Sequence, residues 1–471
     1  MPAPTAQQID RLVEILRRTV RVGTVATTGP DHDAARHIWN GAVSARPGVV
    51  VRCADVSDVA AAVLAARETG VPLSVRGGGH DWAGRALSDG GLTIDLSGLR
   101  RVTVNAAAKV AEVSGGATAA DVAAAAAAFD LVPVTGTTGS VGMVGLTLGG
   151  GYGPLSGRFG LAVDNVLSAE VVLADGSVVT ADADHEPELF WALRGGGGNF
   201  GVVTSMRVRL HAVPALMSGL MLFPWTQAQT VLPGLSDLLA ESPDELTTQF
   251  GVLGGPDGAP VVLVSPTWSG DAAAGERALA RLEALGTPLV SQVSTTTVPA
   301  MLGAIDAQFP FGRHVAIRTR SVPSLTSGVG EALDLAGSTL TSPASAVSVH
   351  SLHGAAARVP VTETAFGIRT PHLMVETIAI WEPADTRAAE HRAWADDVSR
   401  ALEPESLPGG YPNLLGPDDA PQIAHAYGPN AERLLTAKRR FDPDRVFRAI
   451  ALPESSTLTR AEEGRSTDDA R

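Results

Sequence analysis

With 471 residues, 45% of them hydrophobic, the chain is long enough for two or three domains and too apolar to be disordered. Its formal charge of −14 argues against nucleic-acid or anionic-membrane partners, and a single cysteine, Cys53, excludes an internal disulfide or a cysteine zinc site. No apolar run reaches the ~18 residues of a membrane helix and no signal-peptide pattern follows Arg17, Arg18 and Arg21, so the expected compartment is the cytoplasm.

Residues 1–25 read as an amphipathic helix leading into the first domain. "VVVRCADVSDVAAAVLAARETGVPLSVRGGG" follows as strand, helix, strand, the helix capped by Asp55 or Ser57 and ended by Gly70. "LTIDL", "RVTVN" and "VAEVS" read as short strands. In "TAADVAAAAAAFD", Thr118 and Asp121 form a capping-box pattern ahead of an alanine-rich helix. "LSAEVVLADGSVVTA" reads as a hairpin turning at Asp175-Gly176.

From about 214 the glycine runs stop. Strand-like pieces ("VVLVSPTWSG", "HVAIRTRSV", "AVSVHSLHG", "LMVETIAIW") alternate with helix-like ones ("GERALARLEALG", "RAAEHRAWADDVSRALE"). That implies an antiparallel sheet backed by helices, and an α+β class overall. "NAERLLTAKRRFDPDRVF" reads as a helix stopped at Asp442-Pro443, and the polar residues 455–471 as a disordered tail.

Three glycine runs mark the first half: Gly77, Gly78 and Gly79 in "VRGGGHDWAG", Gly149, Gly150 and Gly151 in "GTTGSVGMVGLTLGGGYG", and residues 195–198 in "LFWALRGGGGNFGVVT". Without a Cβ, backbone N–H groups can approach an anion closely. Three runs exceed what turns require and imply one extended ligand lying across several loops. The Gly-Lys-Ser/Thr ending of a P-loop is absent. Gly196, Gly198 and Gly201 match Gly-x-Gly-x-x-Gly, but the following "VVTSMRVRL" alternates as a strand instead of opening a helix. The dinucleotide fingerprint therefore fails its own context.

Together, "RGGGHDWAGRALSDGGLTIDLS", "LGGGYGPLSGRFGLAVDNV" and "LFWALRGGGGNFGVVT" resemble the FAD-binding domain of the vanillyl-alcohol-oxidase (PCMH-type) flavoprotein superfamily. "YPNLLG" with "AYGPNAERLLTAKRRFDPDRVF" resembles its berberine-bridge-enzyme-like branch. The resemblance implies a two-domain fold: an FAD-binding domain over 1–213, a substrate-binding domain over 214–429, and a return to the FAD domain over 430–471. It implies that His80 is bonded covalently to the 8α-methyl of FAD, with Arg76, Gly77, Gly78 and Gly79 along the pyrophosphate. Many relatives add a second link through a cysteine in Gly-x-Cys-Pro-x-Val-Gly. Here that stretch is Gly136-Thr137-Thr138-Gly139-Ser140-Val141-Gly142, and Thr138 holds the cysteine's place, so a single attachment is implied. Val141 falls where the family controls oxygen access, and valine there resembles the oxygen-reactive members. Gly136, Thr138, Gly142, Gly149, Gly150, Gly151, Tyr152 and Gly153 are implied to line the flavin. Asn199, Phe200, Gly201 and Val203 are implied to contact its nucleotide half.

Alternation along "HLMVETIAIW" puts His372, Met374, Glu376 and Ile378 on one strand face. A glutamate in an otherwise apolar strand costs free energy unless it is paired or functional, and burial raises its pKa into a useful range. The resembling family carries Glu or Gln five residues before a Trp on this strand, which Glu376 and Trp381 match. Glu376 is the candidate base or orienting group, against the alternative of a strand-edge carboxylate in water. Tyr152 is a second catalytic candidate or a stacking residue. Relatives often place Tyr or His directly after the Tyr-x-Asn of the C-terminal segment. Leu414 stands there, which counts against a base from that position and leaves Tyr411 and Asn413 to position the segment.

Arg318 and Arg320 share a strand face that meets an acidic substrate or is solvated and ion-paired. Arg369 is a substrate-orienting or structural candidate. His350 and His353, three residues apart in a strand-like run, fall on opposite faces, so no metal site is expected; His350 stays a substrate candidate. The expected function is an FAD-dependent oxidoreductase acting on a small organic, secondary-metabolite-like molecule. Hydride passes from a C–H beside a hydroxyl or amine to the flavin, and O2 reoxidises it with release of hydrogen peroxide. A dehydrogenase or oxygenase of the same fold, and a non-catalytic flavin- or metabolite-binding protein, are the alternatives.

Overall fold

The N-terminal helix runs over Ala6–Thr19 in the computed structural model, which describes residues 3–255 and 258–454. The expected tail at 455–471 lies outside the described residues. The helix is shorter than the expected span because Thr5 and Gln8 close a capping box at its start and Val20 turns extended at its end. Its Leu12, Ile15 and Leu16 bury in one core with helix Val56–Thr69. Asp55 caps that second helix by accepting from the Asp58 N–H, and Gly70 ends it at φ +68°.

These elements surround a four-stranded sheet in the order Thr24–Ala26, Val49–Arg52, Leu92–Asp95, Leu73–Arg76, whose last three strands are parallel. The first glycine run thus leaves the C-terminal end of a parallel strand, where α/β sheets bind ligands. A second sheet orders Val102–Asn105, Val110–Ser114, Val202–His211, Val166–Val172 and Val178–Ala181, with Val132–Pro133 pairing the far end of Val202–His211. The expected hairpin turns at Asp175-Gly176, with Gly176 at φ +79°. The capping box of Thr118 and Asp121 opens helix Ala119–Ala127. Residues after Gly201 extend as a strand, which is why the dinucleotide fingerprint fails.

From Met217 the chain builds one seven-stranded antiparallel sheet, in the order Val290–Thr295, Met217–Pro224, Pro260–Trp268, Leu246–Gly254, Ala346–Leu352, His372–Trp381, His314–Val322. Period-two alternation divides its side chains. Phe250, Val252, Val349, Val375 and Trp381 pack under helices Ala228–Ala240, Ser327–Ser338 and Ala388–Leu402. Gln249, Ser348, His350, Glu376 and Ile378 face the other way, toward the glycine loops. The architecture is the expected α+β arrangement.

The chain then returns to the first half, already at Tyr411, whose hydroxyl accepts from the Gly151 N–H at 2.5 Å. Helix Ala431–Phe441 ends at Asp442, as its sequence predicts. Lys438, buried on this helix, donates to Asn199 O at 2.6 Å, Asp442 at 2.5 Å and Phe447 O at 2.7 Å.

Candidate active site

A cavity of about 790 Å³ lies between the glycine loops and the open face of the seven-stranded sheet. One wall is mostly backbone: Gly77, Gly78, Gly79 and His80; Gly136, Thr138, Val141 and Gly142; Gly151, Tyr152 and Gly153; Gly201 and Val203. Three of the wall's glycines are glycine for no reason internal to the protein. A Cβ at Gly145 would meet no atom within 4 Å, at Gly77 none nearer than 3.4 Å, and at Gly198 none nearer than 3.5 Å. None of the three has positive φ, and Gly145 sits inside helix Met143–Leu148, where glycine costs roughly 1 kcal/mol against alanine. Side chains there would only intrude on cavity space. The wall is shaped for a ligand that the chain itself does not supply.

The opposite wall is made of side chains. Glu376 is 6% exposed and accepts a hydrogen bond from the Tyr152 hydroxyl. His350 Nε2 is 3.6 Å from the same carboxylate oxygen and 3.0 Å from Ser348 Oγ. The Tyr152 ring packs 4.7 Å from His350 and 5.1 Å from Tyr411. Burial pushes Glu376 up to about 7, against the opposing pull of the Tyr152 hydrogen bond. Burial pushes His350 down to about 3, so it is neutral and its contact with Glu376 is not an ion pair. Tyr152, buried beside that carboxylate, is held well above the usual phenol range and remains a proton donor.

His80 is half-buried on the cavity lining. Its ring stacks on Trp39 at 5.4 Å and meets Phe311 edge-on at 5.0 Å, and Nε2 lies 2.8 Å from Ser140 Oγ. Burial pushes it down to about 4.

Family models match the chain as an FAD binding domain over residues 47–182 and as a berberine and berberine-like segment over 413–450. The FAD-linked oxidoreductase aurO of Gibberella zeae is 34% identical, over 90% of this chain and 84% of its own length. The (R)-6-hydroxynicotine oxidase of Paenarthrobacter nicotinovorans is 32% identical, over 88% and 93%. The crystal structure of 6-hydroxy-D-nicotine oxidase from Arthrobacter nicotinovorans superposes with a TM-score of 0.84 at 30% identity, covering 92% of this chain and 98% of that one. The chain belongs to the berberine-bridge-like FAD-linked oxidoreductases.

In this oxidoreductase several residues expected to contact the cofactor do not line the cavity. Arg76 does not line the cavity; it pairs with buried Asp95 at 3.0 Å. Gly149 and Gly150 face the returning C-terminal segment, where a Cβ would stand 2.1 Å from Asn413 Oδ1 and 2.8 Å from the Tyr411 hydroxyl. Asn199 bonds Gly196 O, Ile450 O and the Ala449 N–H, and Phe200 is core. Both act one layer behind Gly198 and Gly201.

The arginine candidates all have partners within the protein. Arg318 pairs with Asp396 at 2.7 Å and Arg320 bonds Ser399 at 3.1 Å, both on helix Ala388–Leu402, across the sheet from the cavity. Arg369 is buried on Asp164 at 2.7 Å. His353 bonds the Pro243 carbonyl, away from His350, and no metal cluster exists among the described residues.

Sequence reasoning also missed residues. Arg448 lines the cavity beside Gly198, exposed and with no acid partner among the described residues. Its signal was a cation directly after the buried Phe447. Ser218, Thr247 and Ser265 line the sheet wall. They were unreadable because register alone decides which Ser and Thr face inward.

Proposed function

We propose that this chain is an oxidase of small alcohols or amines with Glu376 as its base, tethered once to FAD through His80. The observation that carries the reading is a buried carboxylate, with its pKa near neutrality, facing a cavity whose other wall is stripped of side chains. Bound FAD supplies an acceptor for two electrons from a C–H beside the hydroxyl or amine, and dioxygen is the proposed final acceptor, leaving hydrogen peroxide.

Everything else falls to the chain's own residues. The glycine loops and Arg448 would hold the cofactor. Glu376 takes the proton of the substrate hydroxyl or amine, and a pKa near 7 suits a base working at neutral pH. Tyr152 steers one carboxylate oxygen and limits how far burial raises its pKa. Neutral His350 fills the space beside Glu376 without adding charge, held by Ser348. Thr138 offers no second covalent link, and Val141 is assigned to oxygen access. Relatives named as oxidases support this chemistry.

The test is a panel of secondary alcohols and cyclic amines, scored by anaerobic bleaching of the bound flavin and by peroxide formed per product in air. Bleaching by one class, equimolar peroxide, and loss of bleaching in Glu376→Gln are expected. Oxygen incorporated into product, or no peroxide, overturns the oxidase reading. Bleaching unaffected by Glu376→Gln overturns the base.

A further inference from the structure

His80, Ser140 and Asp306 form a line of hydrogen bonds that crosses from one half of the molecule to the other. His80 Nε2 is 2.8 Å from Ser140 Oγ. The Ser140 hydroxyl donates to Asp306 Oδ1 at 2.8 Å, and the Ser140 backbone N–H donates to the same oxygen at 3.1 Å. Asp306 rides on helix Val298–Gln308, which leaves the seven-stranded sheet and inserts Val298 and Leu302 into the core of the first half. Gly139 lets the helix in: a Cβ there would stand 2.6 Å from Asp306 Oδ2 and 3.2 Å from Leu302 Cβ.

The order of donors fixes the tautomer of His80. Ser140 has one hydroxyl proton and gives it to the carboxylate, so its oxygen can only accept from the imidazole. The proton of the neutral ring therefore sits on Nε2. The lone pair sits on Nδ1, which makes no hydrogen bond among the described residues. Trp39 and Phe311 clamp the ring in that orientation. Ser140 belongs to the same loop as Thr138, the position that replaces a second cysteinyl link.

We propose that Ser140 and Asp306 are positioning residues for the protein's own covalent modification: they present His80 Nδ1 as the nucleophile toward the 8α-carbon of FAD and drain its other proton. The proposal rests on the covalent reading of His80 given above. An Nδ1–C8α bond forms and one C8α–H bond breaks. The Nε2 proton passes to Ser140 Oγ as the Ser140 proton passes to Asp306. In all, two protons and two electrons are released, and dioxygen takes them to become hydrogen peroxide.

The test compares full-length wild type with Ser140→Ala, Asp306→Asn, Ser140→Thr and His80→Ala, each incubated with added FAD in air. Total flavin per chain is read before acid precipitation, and pellet-bound flavin after it, as a function of time. Pellet-bound flavin should appear on the order of 10²-fold more slowly in Ser140→Ala and Asp306→Asn, at unchanged total flavin, with Ser140→Thr restoring the rate. Wild-type attachment rates in both variants overturn the relay while leaving the His80 tether intact. A fall in total flavin with an unchanged attachment rate also overturns it, since that is a binding role. If acid frees the flavin from wild type itself, the His80 tether fails, whatever the relay variants do.

Discussion

The two walls of the cavity are built on opposite principles. The glycine wall is backbone, fixed by loops that leave sheet strands and helices, and its recognition groups are the same N–H groups every residue carries. The sheet wall is side chains, set by the register of seven strands, and its character changes with each residue that faces inward. A wall that must hold one invariant ligand can be written in glycine. A wall that must choose a substrate needs chemistry at each position, and that is where Glu376 and His350 stand, with Tyr152 reaching them from the glycine wall.

Filling the glycine wall should erase the contrast most completely. Gly145→Leu meets no protein atom near its Cβ and replaces a poor helix former by a good one, so the apoprotein should fold with undiminished thermal stability and purify almost without flavin. The flavin-to-protein absorbance ratio checks it. On the sheet wall, Glu376→Gln should leave that ratio intact and slow anaerobic flavin reduction ~10²–10⁴-fold, the usual range for loss of a general base.

The same variant carries a stability signature of definite sign. Glu376 is raised on folding from about 4.5 to about 7, so wild type loses stability as pH rises between those values and stays at the lower level above 7. Glu376→Gln should therefore gain about 1–3 kcal/mol over wild type at pH 8 and much less at pH 5, by denaturant titration of the apoproteins. In kcat/KM the base must be deprotonated, so activity should fall below about pH 7. Tyr152→Phe removes the hydrogen bond that lowers this pKa and should move the limb to higher pH. Arg448→Ala should weaken capture of added FAD several-fold, a deficit that shrinks as salt screens the lost charge. Smallest of all, Arg318→Ala should leave KM unchanged and cost under ~1 kcal/mol, as for a partly exposed ion pair.

The glycine wall was the legible one. Runs at 77–79, 149–151 and 195–198 point to an extended ligand because backbone without a Cβ can approach one closely, and the alternation around Glu376 marks an inward carboxylate. Less legible was the layer behind. Gly149, Gly150, Asn199 and Arg76 look like ligand contacts in a linear reading, since sequence does not say whether a glycine makes room for a cofactor or for Asn413 and Tyr411. The arginines at 318 and 320 stayed open for a related reason: alternation shows that they share a face, but only the packing of helix Ala388–Leu402 shows that it is the ion-paired face under the helices. The link from Ser140 to Asp306 spans 166 positions and has no local signature at all.

The clasp of Lys438 and Asn199 on residues 447–450 has a consequence for how the protein handles dilution. This strap closes the wall beside Gly198 with contacts such as Asn199 to Ala449, 250 positions apart in sequence, and beyond the buried Phe447 it is held by a few polar bonds and Ile450. Segments of that kind open locally well before a domain unfolds. A cofactor held only by equilibrium binding would escape at each opening, and its stabilising effect would vanish as free FAD is diluted away. The anchor proposed at His80, on a different part of the wall, would separate the two events: the strap could open and re-form many times while the ligand stayed at an effective concentration that no dilution lowers.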